Sequence, residues 1–460
     1  MTIRGYTKET FTAQLNEYLS ASGPVRSIQH LLGRDKEISL IDEALSADGR
    51  HLFIFGDRGV GKTSLAQSAA SQFQSSDNSF IQMGCGPDTQ FYQSIEDLAD
   101  RVLKKASGTR KYDVNHSINV KFYSIKWKEK DTEIEIPNVS SMYTAIEAIE
   151  EVCKYHSECP VIVIDEFDQI DSEKERRLFA NFLKDLGDRG VKLKLIFTGV
   201  AQSLTELLGS HESSFRQLHT IGLERLSWTG REEIVKEALQ SFNLKINNEV
   251  VYKIAKISNG FPYFVHLIAE KILWCAFHSE KEIHNIDFDF FDEALEKAIL
   301  SISAHLQRPY DSASLHRTRD YKEILWATAD SENTIRYIDG MYASYLRINE
   351  QLYGTNPKEE DRPLPRNNFT TRLAKLKKTE FGHILENVSG RKGLYTYREN
   401  ILRGFVAMKA LESGVELQGD IPDEPKMPTA TGRENKSSYA GKDFVPKVKF
   451  RGEDESKDQD

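Results

Sequence analysis

The sequence has few cysteines and no long apolar run. The four cysteines are scattered along 460 residues, and none belongs to a Cys-x-x-Cys pair. This pattern argues against a zinc site or a disulfide framework and favours a reducing cytoplasm. No run of about 18 apolar residues is present, so we predict no transmembrane helix. Residues 1–12 are polar and lack the apolar segment of a secretory signal, so we expect a cytoplasmic protein without a membrane partner.

The chain also lacks an excess of positive charge. Its formal net charge is −9 at pH 7, which argues against a general binder of polyanions. Any nucleic-acid surface is therefore expected to be local. A chain of 460 residues exceeds the usual length of one domain, and two to three folded units are expected.

Strands alternate with helices over residues 31–228. Short apolar runs, some of them rich in valine and isoleucine, are separated by stretches with helical spacing. This alternation predicts an α/β fold with a parallel sheet covered by helices on both faces. The five strands are expected at residues 51–55, 80–85, 160–164, 193–198 and 220–226. Residues 112–138 interrupt the alternation and predict a β-hairpin insert.

Other patterns flank this α/β unit. Residues 1–30 indicate a polar lead with one short helix. Residues 229–305 predict four helices, the first of which opens with a capping box at Thr229. Residues 318–412 combine helices with a hairpin pattern and indicate a third unit. The polar residues 413–460 predict a disordered tail.

A glycine-rich run matches the phosphate-binding pattern GxxxxGK[ST], between an apolar strand and a helix. Glycines let backbone N–H groups converge on phosphates, and the helix N-terminus adds its positive dipole end. Lys62 is expected to reach the β- and γ-phosphates of ATP, and Thr63 to offer its hydroxyl to Mg²⁺. The alternative is a chance glycine-rich turn. The nucleotide-binding residues are Gly56, Asp57, Arg58, Gly59, Val60, Gly61, Lys62, Thr63 and Ser64.

An acidic pair follows the apolar residues 161–164. Asp165 and Glu166 would lie at the carboxyl end of a buried strand, where open α/β sheets bind their ligands. Asp165 is expected to hold Mg²⁺, and Glu166 to orient and deprotonate the attacking water. Asp168 is an additional carboxylate. The alternative is that the pair only caps the following helix.

Two further polar residues are candidates for catalysis. Thr198 ends the next buried strand, where its hydroxyl could sense the γ-phosphate; otherwise it is a β-branched residue at a strand end. Arg216 precedes the last strand and could reach the γ-phosphate of a neighbouring subunit. A surface arginine in an ion pair is the alternative.

These motifs resemble those of the AAA+ ATPases, in the branch with replication initiators of the origin-recognition type and the related archaeal-type and STAND ATPases. Gly33 and Arg34 belong to a GRxxE opening, which the resemblance places against the adenine. Pro262 belongs to a GxP element that is similar to the base-contacting element of STAND ATPases. The resemblance further implies that residues 229–305 form a lid, that residues 318–412 form a winged helix, and that the chain self-assembles.

One position departs from the AAA+ pattern. The resemblance implies an arginine at the start of the helix at residues 261–278, but residues 263–266 are Tyr, Phe, Val and His. His266 is either a weak substitute or a core or solvated histidine. The departure implies slow hydrolysis and a STAND-like switch.

The third unit carries a local excess of positive charge. Ten Lys or Arg and three Glu between residues 362 and 403 give a net +7. A winged helix places one helix in the major groove and its hairpin on the backbone. Phosphate contacts are expected from Arg366, Arg372, Lys375 and Arg391, and base contacts from Asn367. The alternative is a winged helix that docks a protein partner.

The combined expectation is a slow, Mg²⁺-dependent ATPase that oligomerises and acts on DNA. Replication, transposition targeting or a prokaryotic defence process would suit such a switch. The alternative is a signalling ATPase whose winged helix binds a protein effector, and a third possibility is a scaffold that binds nucleotide and barely hydrolyses it.

Overall fold

The structure is a computed structural model. It describes residues 3–21, 23–25, 28–74, 79–106, 125–129, 132–136, 139–201, 217–388 and 391–417. Residues 418–460 lie outside these ranges. Over the described ranges, no helix is long and apolar enough to cross a membrane.

Five parallel strands form the central sheet. They are β1 (His51–Phe55), β2 (Ile81–Gly84), β5 (Val161–Asp165), β6 (Lys194–Gly199) and β7 (Leu218–Gly222). Their order in the sheet is β2-β5-β6-β1-β7. The predicted α/β fold with a parallel sheet is therefore confirmed. The non-consecutive order places the ends of β1, β5 and β6 side by side, which is where the sequence motifs lie.

Helices cover both faces of this sheet. They are α2 (Asp35–Ser46), α3 (Lys62–Phe73), α4 (Phe91–Ala106), α5 (Met142–His156) and α6 (Glu173–Arg189). Strand β5 is buried along its whole length because its residues alternate between two cores. Val161 and Val163 pack with α2 and α3, whereas Ile162 and Ile164 pack with α4, α5 and α6. Continuous burial on both faces explains the unbroken apolar run.

The last strand is shorter and earlier than the expected 220–226. After Gly222, the backbone N–H of Leu223 still donates to Phe55 O, but that of Leu226 donates to Gly260 O. The chain has then left the sheet for the helical unit, which ends the strand.

The β-hairpin insert is present as two antiparallel strands, β3 (Ile125–Glu129) and β4 (Thr132–Ile136). Residues 112–124, 130–131 and 137–138 of the predicted insert lie outside the described residues.

Four helices follow the sheet. They are α7 (Trp228–Ser241), α8 (Asn248–Ile257), α9 (Pro262–His278) and α10 (Phe288–Ser301), with the short strands β8 (Lys245–Ile246) and β9 (Asn285–Ile286) paired between them. The predicted capping box at Thr229 is wrong. Ser227 is the N-cap, and its Oγ accepts from the Gly230 N–H at 3.1 Å, so the helix begins one residue before Thr229.

The N-terminal lead packs on this helical unit. Its helix α1 (Lys8–Tyr18) buries Phe11 against Phe242, Trp274 and Phe277. The sequence predicted one short helix here but not its packing.

The C-terminal unit combines five helices with a three-stranded antiparallel sheet. Its helices are α11 (Ala304–Ser314), α12 (Asp320–Ala329), α13 (Ile338–Tyr353), α14 (Arg366–Lys375) and α15 (Leu402–Glu412). Its strands are β10 (Ile335–Tyr337), β11 (Leu385–Asn387) and β12 (Leu394–Tyr397), in the order β10-β12-β11. The predicted tail begins too early at 413, because Val415 is fully buried against the core. Residues 418–460 of that tail lie outside the described residues.

Candidate nucleotide site

The glycine-rich loop connects β1 to α3. Gly59 and Gly61 have φ values of 83° and 100°, a left-handed conformation that favours glycine. Lys62 Nζ donates to Gly56 O and Asp57 O, both at 2.9 Å. The amine thus lies along the inside of the loop, and burial lowers its pKa, although the nearby Asp168 and Asp57 oppose that effect.

Asp165 is the centre of a hydrogen-bond cluster. Its Oδ1 accepts from Thr63 Oγ1 at 3.0 Å and from Thr198 Oγ1 at 2.5 Å. Its Oδ2 accepts from Gln82 Nε2 at 3.2 Å, and Gln82 accepts in turn from Gln67 at 2.7 Å. The structure therefore brings together the predicted residues of three separate motifs. Sequence reasoning missed Gln67 and Gln82, because isolated glutamines carry no motif.

A hydroxyl and a carboxylate oxygen 3.0 Å apart suit a hard cation such as Mg²⁺. Thr63 and Asp165 would hold it, and phosphate oxygens and water would supply the other ligands. No cluster of three or more His, Cys, Asp or Glu side chains able to bind a metal occurs among the described residues. A hydroxyl and a carboxylate beside the glycine-rich loop fit a cation that is shared with nucleotide phosphates.

Glu166 projects from a strained backbone position. Its φ of 57° is left-handed, which non-glycine residues adopt rarely. Its N–H donates to Thr198 Oγ1 at 3.0 Å, so the Thr198 hydroxyl links Asp165 and Glu166 directly. The Glu166 side chain is exposed and lines the cavity beside the loop.

A second pair crosses the mouth of the site. Arg58 Nη2 lies 3.8 Å from Asp168 Oδ2, which joins the glycine-rich loop to the segment after β5. Arg58 is half exposed, so the pair contributes little to stability.

The two residues of the GRxxE opening have different positions. Arg34 is buried and lines the cavity, and its Nη2 donates to Val60 O and Glu224 O at 2.8 Å each. These two hydrogen bonds connect the glycine-rich loop, at Val60, to the segment after β7, at Glu224. Gly33 packs on α7 instead, since a Cβ there would lie 2.6 Å from Gly230 Cα.

A cavity of about 590 Å³ joins these groups to the N-terminal lead and to α9. Besides the loop, Glu166, Asp168 and Thr198, it is lined by Ser20, Ala21, Gly23, Pro24, Val25, His30, Leu31, Leu32, Ile234, Pro262, Tyr263 and His266. This size suits a small-molecule ligand such as a nucleotide. Pro262 lines the cavity, and the lead is a wall of the site that sequence reasoning missed. Arg216 lies outside the described residues.

The residues predicted to bind nucleic acid lie in the C-terminal unit, and two of them are already paired. Arg366 forms an ion pair with Asp339, and Arg372 with Asp320. Lys375 Nζ lies 5.8 Å from the centre of the Phe381 ring. Asn367 and Arg391 are exposed.

Residues 30–196 match the family model described as "AAA ATPase domain". This stretch, the ATPase domain below, contains the glycine-rich loop and the Asp165–Glu166 pair. A search of curated proteins gives no match. The family match and the α/β fold with its glycine-rich loop between β1 and α3 together support a nucleotide-binding ATPase in general terms.

Several solved structures are similar over most of the chain. A Walker-type ATPase of Pyrococcus abyssi has 15% identity and a TM-score of 0.48, covering 84% of this chain and 98% of its own. Cdc6p of Pyrobaculum aerophilum has 12% identity and a TM-score of 0.42, covering 86% and 98%. The Orc1 protein of Aeropyrum pernix, solved with DNA, has 12% identity and a TM-score of 0.40, covering 82% and 92%.

Proposed function

We propose that the chain is a Mg²⁺-dependent ATPase that works as a slow nucleotide-controlled switch. The observation that carries this proposal is the position of Asp165, whose Oδ1 accepts from both the Thr63 and the Thr198 hydroxyls. A carboxylate held between the phosphate-binding loop and a polar strand end has the right place for a magnesium-linked phosphate. A buried carboxylate that only capped a helix would not need these partners.

Each residue of the cluster has a chemical task in this proposal. Thr63 and Asp165 would hold Mg²⁺, which neutralises phosphate charge when bound. Lys62 would exchange its two loop carbonyls for phosphate oxygens. Glu166, exposed to the cavity, would accept a proton from the attacking water, and Thr198 would hold the Glu166 backbone in position.

Slow turnover is supported by the start of α9. Residues 263–266 at this helix start are Tyr, Phe, Val and His, so no arginine lies there. A long arginine side chain from this helix start could stabilise charge on the γ-phosphate, and its absence removes that contribution. Self-assembly, with Arg216 reaching a neighbouring subunit, remains part of this proposal.

Contacts between the ATPase domain and the C-terminal unit support the switch. Ile401, just before α15, packs on the loop, since a Cβ at Gly59 would lie 2.5 Å from its Cδ1. Arg225, which lies between β7 and α7, connects the helical unit to the C-terminal unit, because it donates to Asn259 O at 3.1 Å and to Glu332 O at 2.6 Å. A conformational change of the glycine-rich loop on nucleotide binding would therefore alter its contact with the C-terminal unit.

We further propose that residues 318–412 act as a winged helix that binds DNA. The local net charge of +7 and the exposed Asn367 and Arg391 support this role. The ion pairs of Arg366 and Arg372 favour the alternative, a protein-binding winged helix, because these two cations are already neutralised. A DNA surface would therefore depend on the exposed hairpin tip more than on α14. Replication or transposition, or a prokaryotic defence process, would use such a switch.

The hydrolysis proposal is tested by Glu166→Gln. We expect ATP affinity to be kept while the rate of phosphate release falls by about 100-fold or more, as for loss of a general base. Glu173→Gln is the matched control, because Glu173 is exposed on α6 and forms a surface ion pair with Arg177. A Glu166→Gln rate equal to that of the control would remove Glu166 from the mechanism.

A further inference from the structure

His266 accepts a hydrogen bond from the backbone of a distant segment, the N-terminal lead. It lies one turn after Pro262 in α9, is 4% exposed and lines the nucleotide cavity. Its Nδ1 lies 3.4 Å from the backbone nitrogen of Ser20, in the N-terminal lead. A backbone N–H can only donate, so Nδ1 must be the acceptor and carries no proton.

The other ring nitrogen is therefore a donor. A neutral imidazole with a bare Nδ1 carries its proton on Nε2. Within the part of the chain that the structure describes, the hydrogen bond of His266 is the one at Nδ1, and no protein group accepts from Nε2. A buried side chain that lines a cavity, with one nitrogen fixed and the other an uncommitted donor, is suited to hold a ligand acceptor.

The surroundings of His266 indicate which part of a nucleotide lies there. The wall formed with the lead is largely apolar: Ala21, Pro24, Val25, Leu31, Leu32 and Ile234 line the same cavity. The charged lining residues lie at the glycine-rich loop instead. Arg58 and Lys62 belong to the loop, and Arg34 donates to Val60 O within it. Glu166 and Asp168 follow β5, and Asp168 pairs with Arg58. Phosphates suit the charged part, so a planar, apolar-faced base suits the wall that includes His266.

The lead is fixed to the phosphate-binding helix, so this wall has a defined position. The Val25 N–H donates to Ser64 Oγ at 3.1 Å, and Ser68 Oγ donates to Val25 O at 3.0 Å. Pro262, one turn before His266, lies close to Gly61, because a Cβ at Gly61 would be 3.8 Å from its Cγ. The lead and α9 thus both contact the glycine-rich loop or α3 beside this part of the cavity.

We propose that His266 reads the nucleotide base: its Nε2–H donates to a ring nitrogen of adenine, and the Ser20 N–H fixes the ring in the tautomer that allows this. The inference rests on the proposed function, since it requires that the cavity binds ATP. It assigns a specificity role to a residue pair, Ser20 and His266, that no sequence motif marks. A cation at this position would be drawn to phosphate, whereas a neutral N–H donor pairs with a ring nitrogen that has a free lone pair.

The first test uses the unaltered chain. Affinities are measured by calorimetry for ATP and for its 1-deaza, 3-deaza and 7-deaza analogues, in each of which one ring nitrogen is replaced by C–H. We expect one analogue to bind about five- to tenfold more weakly than ATP, the loss of one hydrogen bond, and the other two to bind like ATP. Equal binding of all three analogues and ATP would overturn the proposal.

The second test uses two substitutions whose amide groups replace different ring nitrogens of His266. His266→Asn places an acceptor near Nδ1 but has no group at Nε2, whereas His266→Gln places an N–H₂ near Nε2. We expect His266→Asn to raise KM for ATP about five- to tenfold with kcat within about twofold, and to lose the discrimination among the analogues. His266→Gln should recover part of both. A His266→Asn protein that still discriminates like the wild type would contradict the assignment.

The outcomes also separate this inference from the proposed function. If the wild-type chain discriminates among the analogues but hydrolyses no ATP, the ATPase proposal fails and the base-reading role stands. If it hydrolyses ATP without discriminating, the reverse holds. A chain that binds no ATP overturns both.

Discussion

Asn400 Nδ2 donates a hydrogen bond of 2.8 Å to Asp57 Oδ2, across 343 positions of sequence. Asp57 is part of the glycine-rich loop, and Asn400 immediately precedes Ile401, whose side chain packs on Gly59. The C-terminal unit therefore contacts the loop directly through both a polar and an apolar group. Movement of either partner requires that the other adjusts or that the contact breaks.

Asn400→Asp should loosen this contact. The new carboxylate would face Asp57 at hydrogen-bond distance, and like charges so close repel. We expect a fluorescent ATP analogue to dissociate about three- to tenfold faster, measured by stopped-flow displacement with excess ATP. Asn368→Asp is the matched control, since Asn368 is exposed on α14. Equal dissociation rates for the two variants would show that the contact does not affect the nucleotide.

The hairpin tip of the C-terminal unit gives the sharpest test of DNA binding. Arg391 and Lys392 are both exposed, whereas Arg372 is paired with Asp320, so reversing the charge of Arg372 would also disturb the fold. We expect Arg391→Glu with Lys392→Glu to weaken duplex DNA binding about tenfold or more and to reduce its salt dependence, measured by fluorescence anisotropy.

The matched control for that pair is Lys245→Glu with Lys281→Glu. Both lysines are exposed in the helical unit, and the change in net charge is the same. If the two double variants bind DNA equally, the hairpin tip does not bind DNA. The alternative, that the C-terminal unit binds a protein partner, is then favoured.

His51 makes stability depend on pH. It is fully buried in β1, and its Nδ1 accepts from the Leu195 N–H at 3.1 Å. Burial, with a smaller effect of Lys194, lowers its pKa from 6.5 to about 3. The unfolded chain thus takes up a proton below about pH 6.5 that the folded chain refuses until about pH 3. The free energy of unfolding should therefore fall as pH drops through this window, by up to about 1.4 kcal/mol per pH unit.

This account is checked by urea unfolding of His51→Gln and of the wild type at several pH values between 7 and 4. That range lies within the window between the unfolded and folded pKa values of His51. The variant should lose less stability per pH unit than the wild type. His284→Gln is the control, because His284 is exposed and should leave the slope unchanged. Parallel pH profiles for His51→Gln and the wild type would contradict the assignment.

Local pattern predicted much of the fold and the centre of the site. The strand β5 is readable because every one of its residues is buried, and the glycine-rich loop because its geometry demands glycine at Gly59 and Gly61. The end of the last strand was misplaced, since Leu226 leaves the sheet through a hydrogen bond to the distant Gly260. Apolar character alone does not show which partner a backbone N–H takes.

The other omissions have the same physical cause. Gln82 supports Asp165, Ser20 fixes His266, and Asn400 contacts Asp57, but each pair is far apart in sequence. Hydrophobic period and capping describe neighbours within a few residues, so they say nothing about such pairs. The sequence alone therefore did not indicate that the N-terminal lead lines the cavity.

The Mg²⁺ dependence of ATP hydrolysis by Asp165→Asn tests the central claim most directly. We expect the wild type to release phosphate from ATP with Mg²⁺ but not with EDTA. Asp165→Asn should be at least about 100-fold slower at saturating Mg²⁺, because the carboxylate that joins Thr63, Thr198 and the metal is gone. Asp171→Asn, at an exposed position six residues later, should match the wild type. Hydrolysis by Asp165→Asn at the wild-type rate, or hydrolysis by the wild type in EDTA, would contradict the account.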